Sequence, residues 1–255
     1  MITSFLQGGL GNQMFQIAAA YALSRDLGVD CAFNLNRCHT PAQGNTSNKY
    51  KDNIFKNIND VDLDLNSFKR YLQPCFAYDD LPKIDNILLQ GDFQSEKFFL
   101  KYKDEIKNLF YFNNDKKIEI QKHLSQFENI TAVHVRRGDY LNKPNYHPTC
   151  TVEYYKKAME IIGSESNFIF VSDDIDWCKE NFKGDNIYYS LFTNEIDDLY
   201  LIKSCNNQII ANSSFSWWGA YLCPFNNKVV APSIWFGPRG PQDTWDVYQS
   251  DWIKI

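Results

Sequence analysis

The sequence has no apolar run that approaches the roughly 18 residues a membrane-spanning helix needs. Its first residues, Met1-Ile2-Thr3-Ser4-Phe5-Leu6, carry no basic side chain and lead into glycines, unlike a signal peptide. Hydrophobic residues make up 44% of the 255 positions and charged residues 22%, which excludes disordered and fibrous chains. We therefore expect a globular cytoplasmic protein.

Clustered basic residues are also missing. The 26 Lys and Arg against 31 Asp and Glu give a net charge of −5, so nucleic acid is not an expected partner. The seven cysteines are odd in number, and none form a CxxC pair. This pattern predicts free thiols in a reducing compartment and argues against structural zinc.

The first half of the chain begins like a βαβ unit. Residues 36–86 are rich in Asn and Asp and receive no assignment. The other segments predict strands over residues 2–7, 29–35 and 87–90, a helix that Gly28 ends, and a second helix from Ser95 towards Phe110.

The second half predicts five strands that alternate with four helices on short connections. That alternation is typical of a doubly wound parallel sheet. We place a domain boundary near Phe127, which gives domains of residues 1–127 and 128–255. The predicted strands are residues 130–135, 168–171, 187–189, 208–211 and 228–231, and the helices are residues 153–162, 174–182, 195–203 and 215–222.

Three polar segments each follow a predicted strand of the second half. They are residues 134–140 (HVRRGDY), 172–174 (SDD) and 212–218 (NSSFSWW). Ligands of open α/β sheets bind at the carboxyl ends of the strands, where such loops converge. Three segments at one edge therefore predict a binding site.

Arg136 and Arg137 are the strongest signal in these segments. Two guanidinium forks at the end of a strand suit a diphosphate, and Gly138 permits a close backbone approach. The alternative interpretation is that the pair forms salt bridges with local acids such as Asp139 or Asp173.

The other polar residues have both a binding and a structural interpretation. Ser213 and Ser214 open a helix, where hydroxyls and backbone N–H groups attract an anion. Asp173 is placed to accept hydrogen bonds from a ribose or a base. The structural alternatives are helix capping for Ser213, Ser214 and Asp173 (with Asp174 better placed to cap), a core position for His134, and packing for Trp217 and Trp218.

Familiar nucleotide and metal motifs are incomplete. Residues 8–13 (GGLGNQ) come close to a dinucleotide fingerprint, but Met14 stands where the third glycine belongs. The sequence contains no phosphate-binding P-loop, and His134 and His147 lack metal spacing.

Three segments together resemble the α-1,2-fucosyltransferases of glycosyltransferase family 11. They are residues 8–16 (GGLGNQMFQ), 134–140 and 213–219 (SSFSWWG). Residues 91–97 (GDFQSEK) are similar to a further family segment, which usually has an aromatic residue where Asp92 stands. The similarity extends to about Trp235 and so covers most of the chain.

The resemblance implies two Rossmann-like domains facing across a cleft, the GT-B arrangement. Residues 1–127 would form the acceptor side and residues 128–255 the donor side, with about the last 15 residues packing back on the first domain. It implies a hexosyltransferase that moves L-fucose, with inversion, from GDP-β-L-fucose to the 2-hydroxyl of a terminal galactose. No cofactor or obligatory metal would be needed.

The resemblance also implies a setting and partners. Animal members carry an amino-terminal membrane anchor that this chain lacks, which suggests a bacterial, cytoplasmic enzyme of O-antigen biosynthesis. Its partners would be GDP-fucose and a galactose-terminated oligosaccharide. A lipid-linked acceptor would bring the enzyme to the inner face of the membrane.

Residue roles follow by the same similarity. Arg136 and Arg137 would hold the pyrophosphate. Our choice of general base does not come from the resemblance: it is Asp139, because it follows the two arginines, with Glu96 and Asp92 as rivals. The remaining donor-binding residues would be His134 and Asp173 near the guanosine, Ser213, Ser214 and Phe215 around the phosphate and base, and Gly11 and Asn12 from the first domain.

Two other functions remain open on the sequence alone. One is a nicotinamide-dependent reductase, which residues 8–13 suggest. The other is a non-catalytic module that binds a nucleotide sugar or a glycan, which an aromatic content of 16% suggests.

Overall fold

The structure, a computed structural model, describes residues 1–36, 46–225 and 228–255. It divides into two compact units, and neither is continuous in sequence. Unit 1 comprises Met1–Tyr111 and Asp243–Gln249, and unit 2 comprises Phe112–Gln242 and Ser250–Ile255. The division after Tyr111 comes earlier than the boundary we placed near Phe127, and only residues 243–249 of the chain end join unit 1.

Unit 1 contains a parallel sheet of three strands in the order β1-β3-β2. Helix α1 follows β1 and ends at Gly28, whose φ of 65° is a left-handed conformation that glycine adopts easily. The elements are β1 (Ile2–Ser4), α1 (Leu10–Leu27), β2 (Lys69–Leu72), β3 (Ile87–Gln90) and α2 (Lys103–Leu109).

Two predictions for unit 1 need correction, and one strand was not predicted. Residues 29–35 form no strand, because their pairing is confined to isolated bridges at Cys31 and Phe33. Strand β2 was not predicted, since it lies mostly exposed at the sheet edge and has no alternating pattern. The helix predicted from Ser95 is interrupted by 3-10 turns and becomes α-helical only at Lys103. Residues 37–45, part of the unassigned stretch, lie outside the described residues.

Unit 2 contains a sheet of six parallel strands in the order β6-β5-β4-β7-β8-β9. This is the doubly wound order of Rossmann folds, so the predicted α/β class with a doubly wound parallel sheet in the second half is confirmed. The strands are β4 (Ile130–Val135), β5 (Asn167–Ser172), β6 (Ile187–Tyr189), β7 (Asn207–Ile209), β8 (Val229–Ala231) and β9 (Ile253–Lys254). The helices are α3 (Asn114–Leu124), α4 (Val152–Ile162), α5 (Ile175–Asn181), α6 (Glu195–Ser204) and α7 (Ser214–Tyr221).

The apolar strands of unit 2 explain why its sheet was predictable. Every residue of β4 is buried, and Val133 and Val135 pack in one core with Phe168 and Phe170 of β5. Strands buried on both faces read as continuous apolar runs. Strand β9 has only two residues and was not predicted.

Helix α3 was also not predicted, and it accounts for the early division of the chain. It is mostly polar, with only Ile120 and Leu124 buried. It contacts α6 of unit 2, where Gln121 donates a hydrogen bond to the Tyr200 hydroxyl over 3.1 Å. Residues 112–127 therefore belong to unit 2. None of the helices in the described ranges is long and apolar enough to cross a membrane.

Candidate active site

The fold brings the three polar segments together on neighbouring strands. Strand β4 lies between β5 and β7, and all three run parallel. The segments that begin at His134, Ser172 and Asn212 therefore meet at the carboxyl edge of the sheet. Between β4 and β7 the strand order reverses, which is the switch point where doubly wound folds bind ligands.

Arg136 lies directly after β4, between two carboxylates. Its Nη1 is 2.6 Å from Asp173 Oδ2 and its Nη2 is 2.5 Å from Asp139 Oδ1. Burial acts to lower the pKa of Arg136, but the two carboxylates outweigh it and the pKa is raised. The side chain, 15% exposed, is a fixed cation whose guanidinium also lies 5.2 Å from the centre of the Tyr140 ring.

Arg137 points to a different acid. Its Nε donates to Asp174 Oδ2 over 2.9 Å, and its guanidinium lies 4.1 Å from the centre of a ring of Trp177. Asp174 also caps α5 by accepting a hydrogen bond from the backbone N–H of Trp177. The pairing with local acids that the sequence left open is thus present for both arginines. Each guanidinium still has more N–H donors than these carboxylates use.

Asp173 connects the two arginines. Its Oδ2 contacts Arg136, while its Oδ1 accepts a hydrogen bond of 2.9 Å from the backbone N–H of Arg137. Gly138 leaves room for this carboxylate, since a Cβ there would stand 2.5 Å from Asp173 Oδ2. A side chain at this position would displace the carboxylate, so the glycine permits its close approach.

His134, near the end of β4, is a buried neutral imidazole. Burial, with a contribution from Arg136, lowers its pKa to about 3. Its ring lies 5.3 Å from that of Phe215 in α7, and its Nδ1 makes no hydrogen bond within the part of the chain that the structure describes. A buried polar atom of this kind is available to a ligand.

Helix α7 begins at the same edge. Ser213 is its N-cap residue in extended conformation, but its side chain makes no capping hydrogen bond. Ordinary capping, the structural interpretation of this serine, is therefore not what the structure shows. Ser214 begins the helix and Phe215 follows it, half-buried beside His134. Trp217 and Trp218 are fully buried packing residues.

Asn212 is a structural residue of the site that we did not single out from the sequence. Its Nδ2 donates to the carbonyls of Pro148 and Trp235, over 2.9 and 3.0 Å, and its own carbonyl accepts from the Tyr140 hydroxyl over 3.1 Å. The Tyr140 ring also stacks on His147 at 4.5 Å. Asn212 thereby joins three loops around the arginines, which its place at the head of residues 212–218 indicated only indirectly.

Gly11 and Asn12 belong to unit 1, whereas the other predicted donor-binding residues belong to unit 2. Both lie in the first turn of α1, where Asn12 Oδ1 accepts a hydrogen bond of 3.1 Å from Gln94. Residues 8–13 and 91–97 thus meet in unit 1. Asp92 lies there as well, and burial raises the pKa of its carboxyl group. Glu96 begins a 3-10 turn nearby.

The family model of Glycosyl transferase family 11 matches residues 1–255, the whole chain. The chain belongs to this family. The resemblance drawn from the three segments is confirmed, and the protein is an enzyme of the hexosyltransferase type.

Curated relatives agree with this assignment. An O-antigen biosynthesis glycosyltransferase of Escherichia coli, WbnK, is 34% identical over 99% of both chains. An alpha-1,2-colitosyltransferase of the same species is 30% identical over 100% of this chain and 99% of the relative. A galactoside 2-alpha-L-fucosyltransferase of Caenorhabditis elegans is 22% identical over 92% of this chain and 72% of the relative.

A solved structure supports the fold. The Bradyrhizobium fucosyltransferase NodZ, an alpha-1,6-fucosyltransferase crystallised with GDP, superposes with a TM-score of 0.56. The superposition covers 88% of this chain and 93% of the NodZ chain, and the two sequences are 13% identical. At that identity the likeness establishes the fold alone.

Proposed function

We propose that this protein transfers L-fucose from GDP-β-L-fucose to the 2-hydroxyl of a terminal galactose, with inversion. One observation carries the proposal: two adjacent arginines, both fixed by carboxylates, lie at the switch point of the unit 2 sheet beside the start of α7. Fixed cations at this place suit the diphosphate of a nucleotide sugar. The family and the names of the relatives support the sugar and the linkage.

The arginines have a clear electrostatic task in such a reaction. As the acceptor oxygen attacks C1 of fucose and GDP leaves, negative charge grows on the β-phosphate. Guanidinium groups already held in place by Asp139, Asp173 and Asp174 stabilise that charge without reorganisation. Loss of one such contact should cost about 3 kcal/mol, or 10²–10³ in rate.

The neighbouring residues suit the rest of the donor. His134, neutral and buried beside Phe215, offers a ring face and an unbonded Nδ1 to the guanine. Asp173 offers its carboxylate to the guanosine, and Ser213 and Ser214 offer hydroxyls at the start of α7 to a phosphate. From unit 1, Gly11 and Asn12 would contact the fucose or the β-phosphate.

Asp139 remains our proposed general base, but its contact with Arg136 favours a second role. In an inverting displacement the acceptor attacks from the face opposite the leaving group. Asp139 is hydrogen-bonded to an arginine that would bind the leaving GDP. It is therefore better placed to orient that arginine than to deprotonate the acceptor. Asp92, whose pKa burial raises, and Glu96 stay as rivals for the base.

The reaction as proposed needs no metal, because the arginines supply the positive charge. The test supplies GDP-fucose and a panel of β-galactosides and measures released GDP, with 2-deoxygalactosides as matched controls. GDP should be released when a galactoside is supplied and not when a 2-deoxygalactoside is supplied. EDTA should leave the rate of GDP release unchanged. Arg136→Lys should lower kcat about 10²-fold. Equal turnover of the 2-deoxy compounds would overturn the linkage, and abolition by EDTA the metal independence.

A second donor is favoured by one relative. The name alpha-1,2-colitosyltransferase belongs to a protein 30% identical over the whole chain. Colitose is the 3-deoxy form of L-fucose, so discrimination rests on the fucose 3-hydroxyl. Direct competition between GDP-fucose and GDP-colitose decides between the two donors. If kcat/KM is higher for GDP-colitose, colitose takes the place of fucose in the proposal.

A further inference from the structure

His147 lies near Arg136, but the reaction as proposed gives it no task. It follows the 3-10 turn Gly138–Asn142, and its backbone N–H donates a hydrogen bond of 2.8 Å to the carbonyl of Lys143. The side chain is half-buried, and its Nδ1 makes no hydrogen bond within the ranges that the structure describes. Contacts with other rings therefore hold the imidazole in place.

Three aromatic side chains contact the His147 ring. It stacks on Tyr140, with 4.5 Å between the ring centres and 14° between the ring planes. The rings of Tyr146 and Phe236 lie 4.6 and 5.5 Å away at steeper angles. Aromatic pairs at such distances favour a defined geometry, so the positions of the His147 and Tyr140 rings depend on each other.

Tyr140 in turn contacts Arg136. The guanidinium carbon of Arg136 lies 5.2 Å from the centre of the Tyr140 ring, within the range of a cation–π interaction. Tyr140 is 9% exposed, and its hydroxyl donates a hydrogen bond to the carbonyl of Asn212 over 3.1 Å. Its hydroxyl is thus fixed by a hydrogen bond and its ring by the stack, which makes Tyr140 the link between His147 and Arg136.

The ring contact restrains Arg136 in a way that its salt bridges do not. Asp139 and Asp173 occupy N–H groups of the guanidinium, and a donor so occupied is not available to a phosphate. A cation–π contact uses the face of the aromatic ring and no N–H donor. It therefore limits the movement of Arg136 while the remaining donors stay available to a diphosphate.

The charge of His147 suits this arrangement. Burial, together with the cations of Lys143 and Arg136, lowers the pKa of His147 to about 4, although Asp139 acts to raise it. The imidazole is therefore neutral at neutral pH. A protonated ring would repel Arg136 and compete with it for the face of Tyr140.

We propose that His147 is a positioning residue, whose ring holds Tyr140 against Arg136 and so fixes the cation that binds the leaving diphosphate. The ring as a whole, rather than either nitrogen, performs this task. The inference rests on the proposed function for the identity of the diphosphate as that of GDP.

Two substitutions separate the ring of His147 from its nitrogens. His147→Phe keeps an aromatic ring, and His147→Leu removes it. We expect His147→Leu to raise the Kd for GDP, measured by calorimetry, about fivefold and to lower kcat/KM for GDP-fucose about five- to tenfold. His147→Phe should stay within about twofold of the wild type in both. An equal loss in His147→Phe would show that a nitrogen is needed and would overturn the inference.

A double-mutant cycle tests whether His147 acts through Arg136. Arg136→Gln removes the cation, so the stack has nothing left to position. In this background His147→Leu should change the Kd for GDP by less than about twofold, against about fivefold in the wild type. An effect of equal size in both backgrounds would assign His147 a merely structural role and overturn the inference.

The matched control is His123→Leu. His123 is also half-buried, and its ring packs on those of Phe127 and Phe192 at 5.7 and 5.9 Å, but it lies in α3, outside the three polar segments. This variant should have the Kd of the wild type for GDP. An unchanged Kd in His147→Leu, with or without a lower Tm, overturns the inference. If the Kd responds as expected but no acceptor receives fucose, the proposed function fails instead, and the two failures are thereby distinguished.

Discussion

Arg136 shares its guanidinium between Asp139 and Asp173, and this sharing limits what each acid does. A carboxylate that is hydrogen-bonded to a guanidinium is held in one geometry. Both acids therefore suit the orientation of Arg136. Sequence alone could not separate this role from that of a base, because both require an acid a few residues from the arginine.

The substitution Asp139→Asn separates the two roles. If Asp139 orients Arg136, we expect kcat/KM for GDP-fucose to fall about tenfold with the acidic limb of the pH–rate profile preserved. Steady-state kinetics from pH 5 to pH 9 provide the measurement. A loss of the acidic limb together with a fall of 10²–10⁴ would instead establish Asp139 as the base.

Gly138→Ala tests the close approach of Asp173. The new methyl group would stand 2.5 Å from Asp173 Oδ2, so the carboxylate must move and its pairing with Arg136 must weaken. We expect GDP affinity to fall about tenfold by calorimetry, with little change in Tm. Gly184→Ala, where the nearest atom is 3.4 Å away, is the matched control. Equal GDP affinity in both variants would contradict the arrangement.

Among the elements, the loops at the carboxyl edge of the unit 2 sheet depend on few side chains. The amide of Asn212 reaches two carbonyls that lie 64 and 23 residues away in sequence. Such non-local contacts position the loop that follows the arginines without touching them. They belong to the tertiary structure rather than to any local pattern.

Asn212→Ala removes the hydrogen bonds that its amide donates to the carbonyls of Pro148 and Trp235. Each buried group left without a partner costs about 1–3 kcal/mol. We expect Tm, measured by differential scanning calorimetry, to fall by roughly 5–10 °C. GDP affinity should fall as well, because the loops that hold Tyr140 loosen. A lower Tm with unchanged GDP affinity would show that Asn212 contributes to stability and not to donor binding.

Helix α6 carries a pH-dependent group. Burial raises the pKa of Asp198 to about 7, and its Oδ1 accepts a hydrogen bond from Ser190. The folded state therefore binds this proton more tightly than the unfolded state, and stability should fall as pH rises from about 4 to 7. The slope from one proton is at most about 1.4 kcal/mol per pH unit. Urea unfolding at several pH values gives the free energy of unfolding as a function of pH. Between pH 4 and pH 7 this free energy should fall less steeply in Asp198→Asn than in the wild type, and an equal fall would contradict the prediction.

At the scale of the whole molecule, the chain leaves unit 2 after Gln242 and returns to it at Ser250. The intervening residues attach to unit 1 through Asp243 and Asp246. Asp246 has the more central place, since its side chain is 9% exposed and bonds both Tyr78 and Lys97.

Asp246→Asn should loosen this returning segment. The amide loses the charge that pairs with Lys97, so we expect faster cleavage within residues 243–249 in limited proteolysis and a Tm lower by a few degrees. Asp251→Asn, an exposed acid close in sequence, is the control and should resemble the wild type. Protection equal to that of the wild type would show that Asp243 and packing suffice.

The sequence by itself determined five of the six strands of the unit 2 sheet and the positions of its polar segments. Strands such as β4 are buried on both faces, so their apolar runs and the polar residues that end them are visible without coordinates. Helices α4 and α6 were also predicted from the sequence, with bounds close to those observed. The family followed from short segments, of which residues 134–140 and 213–219 lie at those strand ends and residues 8–16 follow β1 of unit 1.

Only the tertiary structure decided which residues these segments contact. The pairing of Arg137 with Asp174, the hydrogen bonds of Asn212 and the attachment of residues 243–249 all join positions far apart in sequence. Strand β2 and helix α3 were missed because exposed or polar elements owe their stability to neighbours rather than to their own pattern. Local patterns record burial, whereas contacts between distant residues arise only when the chain has packed.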